Sequence, residues 1–280
     1  MIFKIARPRF WIYELGTFFI GYLLAIKNLN DFLNFNFLIY FIYFLFPANL
    51  LIYGINDIFD YETDKLNPKK VEYESLLLPK YHKKVYFWII LTNLPFIIYG
   101  IINLNFIQNL FLWLFLFFAI FYSAKPIRAK SIPILDSFFS ASHYVFTGIF
   151  GYYLVLNQAN FPILGFLFGV LWAMAMHAYS AVLDIKYDKE AGLKTIATLL
   201  EAKKTIILCL IFYFLSFLIL FFLNKILILG FVPYLILMLL SLKNYNKENE
   251  MMKLYKYFPY INTILPMIFS IIYIISNLSL

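Results

Sequence analysis

Asn56-Asp57-Ile58-Phe59-Asp60-Tyr61-Glu62-Thr63-Asp64 closes an apolar run, 33–55, that is long enough to cross a bilayer. Its three aspartates recur at spacings of three and four. On a helix those spacings stack side chains on one face, a turn apart. The same face continues upstream through Tyr53 and Asn49. A charged group at the bilayer centre costs roughly 2.5–3.5 kcal/mol on insertion scales. The cluster therefore belongs at the mouth of a span or in a wet cavity. Carboxylates this close repel one another unless a cation joins them, and Mg²⁺ carrying a diphosphate is the usual answer. Read alone, the stretch is equally an acidic, solvated helix end.

Composition sets the class. Hydrophobic residues make up 63% of the 280 and charged residues 14%, where a soluble domain carries about 25% charge. The mean hydropathy of +0.80 agrees. The expectation is an all-α, multi-pass membrane protein forming a single domain over 1–280. Nine apolar runs have spanning length: 10–26, 33–55, 84–102, 104–122, 136–156, 161–183, 204–223, 226–242 and 258–278. Lys4, Arg7 and Arg9 before the first run imitate a signal peptide, but no small-residue cleavage site follows, so it is read as a span. The single Cys209 leaves no disulfide framework, and three scattered histidines give no zinc pattern.

With the N-terminus inside, 21 of the 23 Lys and Arg fall on cytoplasmic segments, and only Lys27 and Lys225 fall outside. That asymmetry predicts nine crossings of the cell membrane, a cytoplasmic N-terminus and an outer C-terminus. It also accounts for the net charge of +8 without a nucleic-acid partner, since no soluble basic surface is expected.

A second acidic motif, Asp184-Ile185-Lys186-Tyr187-Asp188, closes the sixth run, with His177 and Ser180 upstream on its stripe. Topology puts both motifs on the cytoplasmic side. Two facing carboxylate clusters can hold Mg²⁺ ions that grip a diphosphate. Between them lies Tyr122-Ser123-Ala124-Lys125-Pro126-Ile127-Arg128-Ala129-Lys130. Arg128 can fork onto a phosphate, and Lys125 and Lys130 supply point charge. Lys65, Lys69 and Lys70 follow the first motif, one of them a candidate to reach the site. Asp136 opens the fifth span, with Ser140 and His143 on the same face. His143 is a candidate proton shuttle or a hydrogen-bonding partner in the bundle. In the loop 184–203, Leu193, Ile196, Ala197 and Leu200 share a helical face, which predicts a short amphipathic helix over the cytoplasmic mouth or on the lipid surface. Some of the 34 Phe and 23 Tyr could line a tunnel and face a carbocation; most are packing or lipid contacts.

With both motifs in hand, the chain resembles the UbiA superfamily of intramembrane prenyltransferases. The resemblance rests on Asn56-Asp57-x-x-Asp60-x-x-x-Asp64 and Asp184-x-x-x-Asp188, and the surrounding spans extend it over nearly the whole chain. It implies nine transmembrane helices around a central cavity, with cytoplasmic cap segments after the second and sixth. Tyr122-Ser123, Pro126, Arg128, Lys130, Pro133, Asp136-Ser137, Ser142-His143, Glu190-Ala191-Gly192 and Ile196-Ala197-Thr198 are similar to the lycopene elongase branch. That branch adds five-carbon prenyl units to an acyclic carotenoid. The resemblance implies that Asp57, Asp60, Asp64, Asp184 and Asp188 hold Mg²⁺ and are catalytic. Asn56, Lys125, Arg128 and Lys186 would bind the diphosphate of an allylic prenyl donor. Tyr53, Asp136 and His143 would face a lipophilic acceptor or its proton. An aromatic (quinone) or glycerol-phosphate acceptor is the same-family alternative. A cation transporter is the competing class, against which stand the one-sided acidic clusters and the lack of a visible inverted repeat.

Overall fold

The computed structural model describes residues 1–65, 76–156, 160–223 and 228–278. Lys69, Lys70 and most of the segment expected to cap the second span lie outside them. Among the described residues there are helices and turns and no β-strand. The principal helices are α1 (Trp11–Leu23), α2 (Phe35–Leu45), α3 (Pro47–Phe59), α4 (His82–Asn103), α5 (Phe106–Ser123), α6 (Leu135–Val155), α7 (Ile163–Ala181), α8 (Ile196–Leu223), α9 (Ile228–Asn244) and α10 (Glu248–Asn277). Six stretches among them are long and apolar enough to span a bilayer, with α2 and α3 taken together as one, Phe35–Phe59.

The expected run 33–55 is thus two helices in series. Pro47 has no N–H to give and its ring crowds the preceding turn. Phe46 accordingly leaves helical geometry, at φ −130° and ψ −59°. In lipid the freed carbonyls need partners. Asn49 supplies them, its Nδ2 donating to the carbonyls of Phe44 at 2.8 Å and Leu45 at 3.3 Å. Asn49 was expected on the acidic face; its amide works as a splice between helices. The last helix begins ten residues before the expected 258, at Glu248, because its first turns are polar but still helical.

Two compact units divide the described chain. The first comprises 1–129, 146–160 and 277–280; the second comprises 130–145 and 161–276. In the first, α1 packs on α2 and α3 on α4 and α5. Its interior is aromatic: Phe18, Tyr22, Tyr40, Tyr43, Phe44, Phe115 and Phe150 are buried. Phe44 lies 5.0 Å from Phe18 and 5.2 Å from Phe115, centroid to centroid, and Tyr40 meets Phe150 edge-on at 4.6 Å. These rings fill space against one another. Where α1 crosses α6 the backbones touch: a Cβ on Gly21 would lie 1.8 Å from the Gly148 carbonyl oxygen. Only glycine permits that approach.

The turn between α4 and α5 falls at Asn103–Asn105, as expected. Asn105 and Gln108 cap each other's backbone N–H groups, at 2.9 and 3.0 Å. Gln108 Nε2 also donates to Tyr153 O at 2.9 Å. In the second unit α8 packs along α7 and α9. Buried hydroxyls pair there, Tyr179 with Ser241 at 2.8 Å and Tyr234 with Asn262 at 2.9 Å.

Candidate functional site

The first acidic set sits at the C-terminal end of α3. The helix does not run through it unbroken. Asp60 leaves helical geometry at φ −104° and ψ 3°, and a short helix restarts over Tyr61–Asp64. Backbone bonds bridge the break, Asp60 N–H to Asn56 O at 2.9 Å and Asp64 N–H to Asp60 O at 2.7 Å. Asp57 and Asp60 are buried, while Asp64 is half-buried.

Buried carboxylates demand cations, and two arginines answer. Arg7 Nη2 donates to Asp57 Oδ1 at 2.6 Å, and its guanidinium lies 4.7 Å over the Tyr53 ring. Arg128 Nη2 reaches Asp60 Oδ1 at 3.5 Å, a longer and weaker contact. Both arginines occupy left-handed backbone, Arg7 at φ 49° and Arg128 at φ 47°. Residues other than glycine are uncommon there, and such strain gathers at functional sites. Arg128 is held at that angle by its N–H bond to Ala124 O at 2.9 Å, just after a cis Lys125–Pro126 peptide. Asn56 Nδ2 donates to Ser123 Oγ at 3.2 Å, tying α3 to the end of α5. Lys125 is exposed and makes no ion pair among the described residues.

Asn56, Asp57, Asp60 and Arg128, all expected from sequence, therefore converge within one unit. Tyr53 joins them beneath the Arg7 guanidinium. From sequence, Arg7 reads only as a topogenic charge. Its approach to Asp57 spans fifty residues, and nothing local in Ala6-Arg7-Pro8-Arg9 announces it.

The second acidic set lies in the other unit, after α7. The helix tightens to a 3₁₀ turn over Val182–Asp184 and resumes over Ile185–Glu190. Gly192, at φ 70°, ends that segment. Its N–H bonds Lys189 O at 3.1 Å and the next N–H, of Leu193, bonds Asp188 O at 2.8 Å. That is a Schellman closure, which needs a left-handed residue at this position. Lys186 is exposed, two residues from Asp184 and from Asp188, a spacing that does not share their face.

The expected amphipathic helix exists without Leu193, which lies ahead of it and closes the preceding segment. It starts at Ile196 and buries Ile196 and Ala197. Thr195 and Thr198 cap each other, N–H to Oγ1, at 2.8 and 3.2 Å. At Glu201 the backbone turns out of the helix, at φ 61° and ψ 166°, before α8 continues. An ion pair between Lys189 and Glu201 lies at that bend.

Asp136 is completely buried in the first turn of α6. Its Oδ2 accepts the Ile196 N–H at 2.8 Å, and His177 Nε2 stands 3.9 Å away. The expected association with His143 along one face of α6 is thus not where the Asp136 carboxylate is engaged; its contacts come from α7 and α8. His143 is buried, its ring 4.1 Å from that of Tyr144.

Among the described residues no three Asp, Glu, His or Cys side chains converge as a preformed metal cage. The donor set is all oxygen, and it is distributed. Mg²⁺ characteristically takes one or two carboxylates and completes its shell with water and substrate phosphates. The residues present fit that ion and do not fit a dedicated thiolate or imidazole centre.

A helical, multi-pass membrane protein with an acidic motif at the end of a span in each of two units defines the class. The chain belongs to the UbiA prenyltransferase family, whose model matches residues 15–265. It is 35% identical over 209 residues to a lycopene elongase/hydratase of Haloferax volcanii, covering 73% of this chain and 66%, just under two thirds, of that protein. A lycopene elongase/hydratase of Haloarcula japonica is 30% identical over 284 residues, covering 97% of this chain and 90% of that one. In fold the chain is similar to a UbiA homologue from Archaeoglobus fulgidus bound to GPP and Mg²⁺. The TM-score there is 0.68 at 16% identity, over 95% of this chain and 99% of that chain.

Proposed function

We propose that the protein transfers a prenyl group from an allylic prenyl diphosphate to a lipophilic acceptor in the membrane, with Mg²⁺, and that the acceptor is an acyclic carotenoid of the lycopene type. The observation that carries this is the buried Asp57/Asp60 pair, faced by two strained arginines, in a chain whose second unit carries Asp184 and Asp188 at the equivalent place after a span. The relatives' names favour the carotenoid acceptor over an aromatic or glycerol-phosphate one.

Asp57, Asp60, Asp64, Asp184 and Asp188 would hold Mg²⁺, which when bound supplies charge neutralisation for the departing diphosphate. Arg7, Lys125 and Arg128 would bind its oxygens. Arg7 and Arg128 are already aimed at carboxylates, so a phosphate arriving between them exchanges one anionic partner for another. Asn56 would orient the diphosphate, and Tyr53 would present a ring face beside it. The apolar bundle would exclude water while the allylic C–O bond breaks and an alkene carbon of the acceptor attacks. Loss of a proton, or capture of water, would end the reaction.

Nine crossings around a central cavity, with the N-terminus cytoplasmic, the C-terminus outside and both units acting as one domain, complete the proposal. The lopsided distribution of Lys and Arg supports it.

The test uses membranes from cells making the full chain, a radiolabelled allylic diphosphate and either lycopene or an aromatic acceptor. Labelled, enlarged carotenoid is expected with the native protein. It should be absent for Asp60→Ala and for Asp184→Ala, with insertion unchanged, and the double variant should be no worse than either single one. Full transfer in either variant overturns the mechanism. Label entering only the aromatic acceptor overturns the carotenoid assignment.

A further inference from the structure

Three cations crowd the start of α4, where a helix least favours them. Lys80 lies in the 3₁₀ turn Pro79–Tyr81 that leads into the helix, and Lys83 and Lys84 lie in its first turn. All three are exposed, and none makes an ion pair among the described residues. Lys80 Nζ has only the Tyr81 ring nearby, 5.1 Å from its centroid. The first turn of α4 holds no acidic residue. The positive end of the helix dipole disfavours cations there, so an anion set among them is stabilised by the lysines and by the helix together. Topology asks for lysines on this side of the membrane, but not for lysines on one face.

Their face is a particular one. Positions 80, 83, 84 and 87 recur at helical spacing, and the stripe continues through Phe87, Ile90, Leu91, Leu94, Pro95 and Ile98. These six residues are exposed and line a groove of about 400 Å³. We propose that this face of α4 binds an anionic phospholipid, with its headgroup on Lys80, Lys83 and Lys84 and one acyl chain in the groove. The site shares no residue with the acidic motifs and does not rest on the proposed reaction.

Length and charge select the occupant. From Phe87 to Ile98 the helix rises about 16 Å, close to the ~15 Å of hydrocarbon in one leaflet. A chain laid along the groove from the lysines therefore ends near the bilayer centre. A zwitterionic headgroup brings a cation that three lysines repel, whereas an anionic one neutralises them. Each lysine near the membrane surface favours an anionic lipid about fivefold. A second copy of this chain, seated here about a two-fold axis along the membrane normal, would bring six lysines together, and they repel. The exposed face of α5 is the internal comparison. Phe106, Leu110, Trp113 and Phe117 are exposed on it, and the helix carries no lysine or arginine.

The experiment uses lipids brominated on their acyl chains, which quench a tryptophan they sit beside. Two full-length proteins each keep one native tryptophan, Trp88 or Trp113, with the other three replaced by Phe. Trp88 neighbours the groove, its ring 5.7 Å from that of Phe87; Trp113 reports on α5. Each is reconstituted in vesicles of phosphatidylcholine and phosphatidylglycerol, with one or the other brominated. At Trp88 phosphatidylglycerol should be preferred about fivefold or more, and at Trp113 the two lipids should agree within about twofold. Replacing the three lysines (Lys80→Gln, Lys83→Gln, Lys84→Gln) should bring Trp88 to the Trp113 value. High salt should lower the Trp88 preference with the lysines in place, which keeps the test open if the triple variant misfolds. Leu94→Phe, which fills the groove, should also lower it with the lysines in place. Equal preference at the two tryptophans overturns the proposal, as does a Trp88 preference that survives both lysine replacement and salt. A preference untouched by Leu94→Phe removes the acyl chain from the groove and overturns the site as proposed. Trp88 shielded from both lipids while Trp113 is quenched means that protein covers this face, which overturns it too.

Discussion

Replacing Arg7 isolates the contact that ties the N-terminal segment to the acidic end of α3. Arg7 makes a charge-assisted hydrogen bond to Asp57 at 2.6 Å and lies 4.7 Å over the Tyr53 ring. Both partners are largely shielded, with side chains 16% and 7% exposed, so solvent screening is modest. A hydrogen bond to a charged group contributes about 1.5–3 kcal/mol, and a partly desolvated cation–π contact about 0.5–2 kcal/mol. If the guanidinium turns from Asp57 to a diphosphate in the bound state, the charged bond is the part felt in kcat/KM. At about 1.4 kcal/mol per factor of ten, Arg7→Ala should lower kcat/KM for the prenyl diphosphate about 10–100-fold. Arg7→Lys keeps a point charge but loses the planar fork and the ring contact. It should fall between, at about tenfold. The assay is initial-rate transfer in detergent micelles with the diphosphate varied at saturating Mg²⁺. An Arg7→Ala protein within about twofold of native in kcat/KM would show that the Asp57 contact is structural only and refute the phosphate role.

Three further outcomes follow from the same geometry. Arg128→Gly relieves a left-handed residue at φ 47°, which costs about 1–2 kcal/mol outside glycine, but takes the Arg128 guanidinium from the buried Asp60 carboxylate, a larger loss of about 3–5 kcal/mol; thermal inactivation should be faster than native and prenyl transfer should fall at least about tenfold. Gly21→Ala places a methyl 1.8 Å from the Gly148 carbonyl oxygen, and because backbone cannot yield as a side chain can, the folded yield in size-exclusion chromatography should drop sharply, by more than the usual overpacking cost of about 1–3 kcal/mol. Chelating divalent ions should stop transfer and re-adding Mg²⁺ should restore it, whereas Zn²⁺ should restore little, since no thiolate or imidazole cage is present among the described residues.

How much could be read without coordinates depends on how local each cause is. Helix identity and the α4–α5 boundary at Asn103 follow from apolar run length and from Asn105 and Gln108, whose mutual capping is a four-residue matter. The break at Phe46–Pro47 was there to be read, because proline inside a run is a local signal. Run length alone masks it, and spacing puts Asn49 on the acidic face although its amide is spent on the carbonyls that the break exposes. The polar first turns of α10 escape hydropathy for the opposite reason. Hydropathy reports lipid contact, and helix continues past it into Glu248–Lys253, where Glu250 and Lys253 pair at 2.8 Å.

The site divides along the same line. Asp57, Asp60 and Asn56 are legible because their spacing is helical and their setting, the end of an apolar run, is improbable for carboxylates. Arg128 is legible because it sits in a short basic loop on the expected side. Arg7 is not, although its contact with Asp57, at 2.6 Å, is much shorter than the 3.5 Å contact of Arg128 with Asp60. Its charge satisfies the topology by itself, and no local spacing links it to Asp57, fifty residues away. Asp136 is a subtler case. Periodicity along α6 joined it to Ser140 and His143, yet a carboxylate in the first turn of a helix looks outward from that helix's end, and here it finds the start of another. Spacing rules describe neighbours on one helix; they are silent on an N–H sixty residues distant. A buried carboxylate whose helix-face partners do not claim it is therefore best asked which free helix start lies nearby, since four N–H groups there await acceptors in every helix.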